Sequence, residues 1–203
     1  MKVGVLFSGG KDSALAAILL SPFAQIELVT MSFGIVPNDA ASVALVLGFP
    51  HVTINLDKNL ATASVEAMVK DGYPNRAINL VHRVALEHAV ARYQIVADGT
   101  RRDDRAPVLN AHEARSLEDR SGSNYVRPLL GFGRRIIDAL ASDHLEFVSG
   151  EGVSFDYEVE LRAAMDRSHG SKTVAAVFPV KHAQSRVTGR KNIVFKRGCV
   201  NSY

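Results

Sequence analysis

The sequence predicts an α/β protein built on a doubly wound parallel sheet. Over the first 97 residues, short segments rich in β-branched residues alternate with helical segments, which is typical of parallel strands joined by crossover helices. The first of these strands runs directly into a glycine pair that opens a helix. A chain of 203 residues with an apolar content of 47% also suits one domain with a sizeable core.

The elements follow from apolar periodicity and from the turn residues between them. Strands are predicted at Val3–Phe7, Gln25–Phe33, His51–Leu56 and Gln94–Ala97. Helices are predicted at Asp12–Leu20, from a cap at Asn38 or Asp39 to Leu47, at Asn59–Lys70 and at Asn75–Arg92. The first and fourth strands then end at the same edge of the sheet, which is where ligands bind in folds of this class.

The pattern is less regular after residue 110. Helices are predicted at Ala111–Arg120, Arg134–Ala141 and Asp156–Arg167, with a short extended piece at Tyr125–Phe132. Strands are predicted at Lys172–Val180 and Asn192–Lys196, where they would form a hairpin or an added edge.

Charge is distributed unevenly along the chain. The net charge is +3, but residues 167–203 carry eight Lys or Arg and no Asp or Glu, so residues 1–166 carry 3 − 8 = −5. This basic segment indicates an anionic partner (ATP phosphates, RNA or both), or else a solvated edge that protects exposed strands.

Cysteine content and hydropathy exclude several classes of protein. Cys199 is the single cysteine, which excludes an internal disulfide and a zinc site built on a cysteine pair. No apolar run reaches the roughly 20 residues that a membrane helix needs, and no signal peptide is visible. We therefore expect a cytoplasmic protein without a membrane partner.

The segment Ser8-Gly9-Gly10-Lys11-Asp12-Ser13 has the composition of a phosphate-binding loop. The glycines let the backbone approach an anion, and the N–H groups of the following helix point at it. The two serines add hydroxyl donors and the lysine adds a positive charge. A carboxylate beside a phosphate repels it unless a cation lies between them, so Asp12 implies Mg²⁺. The spacing does not match a Walker A loop.

This hexapeptide resembles the PP-loop of the ATP pyrophosphatase superfamily. The resemblance covers about residues 1–135 and implies an adenine nucleotide alpha hydrolase-like fold, with residues 136–203 as a small basic C-terminal extension packed on it. It also implies cleavage of ATP to AMP and pyrophosphate with Mg²⁺. By the same resemblance, Met31 and Phe33 would receive adenine at the end of the second strand, and Arg83 would border the nucleotide.

A second group of polar residues follows the fourth strand, at Asp98–Arg105. Gly99 permits a tight turn and Thr100 can donate to a phosphate. Asp103 and Asp104 are candidate Mg²⁺ ligands with Asp12, and the nearby arginines could clamp pyrophosphate. Lys11, Asp12 and Arg105 are the candidate catalytic residues. His82 and His88 are interpreted as packed or solvated.

The expected reaction is adenylation. A carbonyl or carboxylate oxygen of the second substrate attacks the α-phosphorus, pyrophosphate leaves, and ammonia, an amine or sulfide then displaces AMP. The candidate partners are ATP, a second substrate such as tRNA, and a second copy of the chain. Two alternatives stay open: a protein that binds or senses adenine nucleotides without turnover, and an RNA-binding protein that relies on its basic tail. The sequence shows no obvious general base.

Overall fold

A central sheet of five parallel strands organises the computed structural model, which describes residues 1–150, 155–178 and 184–191. Its strands are β1 (Lys2–Leu6), β2 (Gln25–Ser32), β3 (His51–Asn55), β4 (Ile95–Ala97) and β5 (Asn124–Val126), in the order β3-β2-β1-β4-β5. Val5 of β1 lies between Leu28 and Ala97 in the register. The predicted fold class is confirmed.

The strand order reverses between β1 and β4, because the chain builds the sheet outward from β1 in one direction and returns to add β4 and β5 on the other side. A crevice forms at such a switch point, beyond the carboxyl ends of the strands. The two polar segments of the sequence, after β1 and after β4, both begin at this crevice.

Helices cover both faces of the sheet. They are α1 (Lys11–Leu20), α2 (Ala40–Leu47), α3 (Lys58–Asp71), α4 (Asn75–Val90), α5 (Ala111–Ser121), α6 (Arg134–His144), α7 (Tyr157–His169) and α8 (Ser171–Val177). Buried residues of α1, α2 and α6 form one apolar core, and those of α3, α4, α5, α7 and α8 form the other. The sheet is therefore buried on both sides, as its continuous apolar strands require.

Two further strands, β6 (Leu145–Gly150) and β7 (Gln184–Arg190), pair antiparallel in a separate small sheet. The sequence analysis did not predict either strand. Its strand at Lys172–Val180 is wrong, because residues 171–177 form helix α8, with Val177 buried and Val174 packed on the core shared with α7. The predicted strand at Asn192–Lys196 lies outside the described residues.

Within the described parts of the chain, no helix is long and apolar enough to cross a membrane.

Candidate active site

The loop from Ser8 to Ser13 makes a tight turn between β1 and α1. Gly9 has a φ of +75°, in the left-handed region that favours glycine. The loop is held by its own hydroxyls: the Gly10 N–H donates to Ser8 Oγ over 3.3 Å, and Ser13 Oγ donates to the Gly10 carbonyl oxygen over 3.2 Å. The hydroxyl groups that the sequence suggested as ligand donors thus also shape the loop.

The turn after β4 packs directly against the first turn of α1. A Cβ on Gly99 would lie 2.6 Å from Ser13 N and 2.7 Å from the Asp12 carbonyl carbon, both of them backbone atoms. Thr100 is buried beside this contact, and its N–H donates to Asp98 Oδ1 over 2.9 Å. Gly99 is therefore needed because two backbone segments meet there.

The C-terminal part of the chain covers the other side of the loop. The N–H groups of Phe155 and Val187 donate to the carbonyl oxygens of Ser8 and Gly9 over 2.8 and 2.9 Å. The Lys11 N–H donates to Ser185 Oγ over 3.1 Å. Among the described residues, the side of the loop that faces β4 is left open to an anion by a cavity.

This cavity has a volume of about 160 Å³ and lies at the switch point of the sheet. Apolar walls come from β1, β2 and α4, including Leu6, Val29, Met31 and Ile78. Polar groups come from the loop, the turn after β4 and α7. The predicted residues that line it are Ser8, Asp12, Ser13, Met31, Gly99, Thr100 and Asp104. The structure thus brings together residues from both sequence segments.

Lys11 does not line this cavity. Its Nζ lies 2.6 Å from Asp12 Oδ1 and 2.9 Å from Asp138 Oδ1 on α6, so two carboxylates neutralise it. Gly9 and Gly10 are likewise covered, since Cβ atoms there would meet the Phe155 ring at 2.8 Å and the Ser185 carbonyl oxygen at 3.4 Å.

Arg101 pairs with the carboxylate of Asp12 in the loop. Its Nε lies 3.6 Å from Asp12 Oδ2 and donates to Asp104 Oδ1 over 3.0 Å. Burial alone would lower the pKa of Arg101, but the carboxylates of Asp104, Asp12 and Asp103 outweigh it and raise that pKa. Arg105, which the sequence analysis placed in the catalytic set, is exposed and lies outside the cavity lining. Neither arginine lines the cavity, but Arg101 is the one that pairs with Asp12 and Asp104, two residues that do.

Two more predicted residues lie elsewhere. Phe33 is 2% exposed in the core, and its N–H donates to Glu160 Oε2 over 2.6 Å, so it is not available to read a base edge. Arg83 pairs with Glu113 in a surface groove between α4 and α5, outside the cavity. Glu160 of α7 occupies the Phe33 N–H, and α4 presents Ile78 and His82 to the cavity. The nucleotide contacts expected of Phe33 and Arg83 stay predictions that this placement does not favour.

The expected magnesium site is only partly built. Among the described residues, no group of three His, Cys, Asp or Glu side chains is placed to hold a metal. Asp103 accepts the Arg134 N–H over 2.9 Å, and this hydrogen bond, with nearby arginines, lowers the pKa of Asp103. Asp12 and Asp104 line the cavity, and Mg²⁺ commonly needs only one or two carboxylates when phosphates supply other ligands. The donor set fits such a shared site.

A buried polar chain also opens onto the cavity, and the sequence analysis missed it. His82 Nε2 lies 3.0 Å from Asp98 Oδ2, and His82 Nδ1 lies 3.0 Å from the Tyr157 hydroxyl. Tyr125 donates to the same Asp98 oxygen. His82 and Asp98 are each 3% exposed. The buried face of α4 and the position of Asp98 directly after β4 were visible signals, but Tyr157 was not.

Burial favours the neutral form of Asp98, yet its hydrogen bonds from His82, Tyr125 and the Thr100 N–H outweigh burial and lower its pKa. Burial, together with nearby carboxylates, raises the pKa of the Tyr157 hydroxyl well above its usual range. At neutral pH the site therefore holds an ionised Asp98 and a protonated Tyr157. Cys199, the single cysteine of the sequence, lies outside the described residues.

Comparisons with known proteins give a family and a close structural match. The model of the family of unknown function DUF7411 matches residues 1–189. The uncharacterized protein MJ0690 of Methanocaldococcus jannaschii is 41% identical, over 94% of this chain and 97% of its own length. The crystal structure of a predicted subunit of tRNA methyltransferase from the same organism is 40% identical, covers 96% of this chain and 100% of its own, and has a TM-score of 0.87.

A weaker structural likeness is to the U34-tRNA thiolase NcsA from Methanococcus maripaludis with its iron–sulfur cluster. It is 18% identical over 70% of this chain and 56% of its own, with a TM-score of 0.46.

Proposed function

We propose that this chain, which belongs to the family of unknown function DUF7411, is an adenylating enzyme of the PP-loop ATP pyrophosphatase superfamily. It cleaves ATP to AMP and pyrophosphate and thereby activates a carbonyl or carboxylate oxygen of a second substrate. The observation that carries the proposal is the cavity at the switch point, where the Ser8–Ser13 loop and the Gly99–Thr100 turn meet in backbone contact.

The phosphates bind at the first turn of α1. The N–H groups of Asp12 and Ser13 have no partner within the helix, as in the first turn of any helix, and the positive end of the helix dipole lies there. The hydroxyls of Ser8, Ser13 and Thr100 line the same cavity and can donate to phosphate oxygens. Met31 and Ile78 offer an apolar wall to the adenine ring.

Charge on the phosphates is offset by few protein cations, because Lys11 and Arg101 are both paired with carboxylates. Mg²⁺, held by Asp12 and Asp104 together with phosphate oxygens, supplies the remaining positive charge when bound. Arg101 lies between these two carboxylates and orients both. Its position beside the loop suits a guanidinium that stabilises the leaving pyrophosphate.

The second substrate is a tRNA. A relative that is 40% identical over nearly the whole chain is described as a predicted subunit of tRNA methyltransferase. Exposed arginines also lie beside the cavity: Arg102 donates its N–H to the Phe132 carbonyl oxygen, and Arg134 follows closely. Arg105 and Arg135 are exposed on the same two segments, as is Phe132, and we propose that these residues together make a basic rim for tRNA. Such rims bind nucleic acid backbones and stack bases.

Incubation with ATP, Mg²⁺ and unmodified tRNA tests the reaction. ATP labelled at the α- and γ-positions should yield AMP and pyrophosphate, and tRNA should stimulate their release. Asp12→Asn should abolish this release, whereas Asp143→Asn, an exposed position on α6, should leave it unchanged. Formation of ADP and phosphate instead would overturn the proposal.

Binding of ATP without turnover, with or without tRNA, would indicate the alternative: a protein that binds or senses adenine nucleotides. The rim has its own test, because each lost phosphate contact lowers the salt dependence of tRNA binding by about one unit of slope. The double variant R102A/R135A should lose about two units. Arg92→Ala, at an exposed position at the opposite edge of the sheet, is the matched control. An unchanged slope in the double variant would remove the rim from the proposal.

A further inference from the structure

We propose that Tyr157, His82 and Asp98 form a proton relay that acts as the general base for an amine nucleophile. The inference rests on the proposed function and deepens it, since it assigns the second half of the reaction and the class of nucleophile. It starts from the fact that the relay and the phosphate loop line the same cavity.

The relay joins three elements that are distant in sequence. Asp98 follows β4, His82 lies on the buried face of α4, and Tyr157 begins α7. The two links, Asp98 Oδ2 to His82 Nε2 and His82 Nδ1 to the Tyr157 hydroxyl, are both 3.0 Å. All three side chains reach the cavity lining, and Tyr157 is its outermost, partly buried member.

The direction of each hydrogen bond follows from Asp98, the acid at the inner end of the relay. Asp98 is ionised and can only accept, so the His82 Nε2–H donates to it. When the His82 imidazole is uncharged and donates from Nε2, its Nδ1 can only accept, so the Tyr157 O–H then donates to Nδ1. The lone pairs of the Tyr157 oxygen are then free to accept a proton from a group in the cavity.

This arrangement moves a proton away from an attacking amine. The amine nitrogen forms a bond to the activated carbon and gives one proton to the Tyr157 oxygen. The Tyr157 proton passes to His82 Nδ1, and the resulting imidazolium is stabilised by Asp98, as in other Asp–His pairs. The bond between carbon and the AMP oxygen then breaks, and AMP leaves with the electron pair. The proton on His82 Nδ1 then returns through the Tyr157 hydroxyl to water that enters the cavity after AMP has left.

The relay discriminates between the nucleophiles that remain open. Ammonia and primary amines must lose a proton after attack, so they need a base. The hydrosulfide anion is already deprotonated and attacks without a base. A base built into the cavity therefore indicates that the nucleophile is an amine, ammonia included.

A single-turnover experiment separates the two half-reactions. Enzyme, labelled ATP, Mg²⁺ and unmodified tRNA are mixed with either ammonium chloride or sodium hydrosulfide, and pyrophosphate and AMP are followed by rapid quench. Tyr157→Phe and His82→Ala should leave the pyrophosphate burst intact and slow AMP release with ammonium by about 10²- to 10⁴-fold. With hydrosulfide, Tyr157→Phe should change the rate little. Added imidazole should partly restore His82→Ala.

Tyr93→Phe is the matched control, because it removes a buried tyrosine hydroxyl that bonds Glu27 and lies outside the cavity lining. Its AMP release should stay within about threefold of the native rate. Nitrogen NMR of His82 adds a readout that needs no turnover. The spectrum should show the neutral tautomer that is protonated at Nε2, and the Nδ1 signal should shift in Tyr157→Phe.

Three outcomes overturn the inference. One is a Tyr157→Phe enzyme whose ammonium reaction is unaffected. Another is an equal loss of the burst and of AMP release with both nucleophiles, which indicates a structural role. The third is His82 protonated at Nδ1. In each case pyrophosphate release by the native protein leaves the proposed function standing, whereas a native protein that releases none overturns both.

Discussion

The single methyl group that Gly99→Ala adds should push the phosphate loop out of its position. The added Cβ would lie 2.6 Å from Ser13 N, and ordinary contact begins near 3.4 Å, so the two backbones must separate by 3.4 − 2.6 = 0.8 Å. Neither neighbour is a flexible side chain that could turn aside. Overpacking of this kind costs about 1–3 kcal/mol of the free energy of unfolding.

The same displacement should weaken nucleotide binding more than it weakens the fold. A hydrogen bond of about 2.9 Å to a phosphate oxygen, lengthened by this shift, leaves the hydrogen-bonding range. A bond to a charged group contributes about 1.5–3 kcal/mol, so the dissociation constant for ATP should rise about 10- to 150-fold. Isothermal titration calorimetry measures the affinity, and urea unfolding measures the stability.

Gly131→Ala is the control, since a Cβ there meets nothing within 4 Å and its φ is not in the left-handed region. It should change neither quantity. Native-like ATP affinity and stability in Gly99→Ala would refute the view that this contact positions the loop.

Three further predictions concern stability. Glu160→Gln places an amide against two backbone N–H donors and should cost about 1–3 kcal/mol in urea unfolding, whereas Glu66→Gln, at a mostly exposed position, should cost nothing. Gly4→Ala, whose Cβ would lie 2.6 Å from the Tyr93 ring, should lower the free energy of unfolding by a similar amount; an unchanged midpoint would contradict the packing. Asp98 has a pKa that burial would raise but its hydrogen bonds lower, so its stabilisation is complete above about pH 3.9 and is lost as pH falls through the lower folded value. Urea unfolding between pH 7 and pH 3 should therefore be less pH-dependent in Asp98→Asn.

The main sheet was predictable because short local sequence patterns specify each of its first four strands. Each of its first four strands was placed within one or two residues, since apolar runs bounded by glycine, proline or polar turns are typical of buried parallel strands. Residues 172–180 were misassigned because a short run of valine and alanine suits either a strand or a buried helix. This segment is a helix because it packs against α7, and that contact cannot be seen in the local sequence.

The candidate site was predictable in its contiguous parts only. The Ser8–Ser13 loop and the Gly99–Thr100 turn lie side by side, as their positions after β1 and β4 required. The partners that reach them from α7 could not be read from spacing. Glu160 is 127 residues from Phe33, and Tyr157 is 75 residues from His82. Such contacts depend on how the last helices fold back over the sheet.

The hydrogen bond from the Lys11 N–H to Ser185 joins two segments that are synthesised at very different times. The two residues are 174 positions apart, so at about 5–20 residues per second a ribosome needs roughly 10–35 s to make the second after the first. The loop is therefore synthesised long before the residue that accepts its Lys11 N–H. A nascent chain can assemble the five-stranded sheet before this contact with β7 exists.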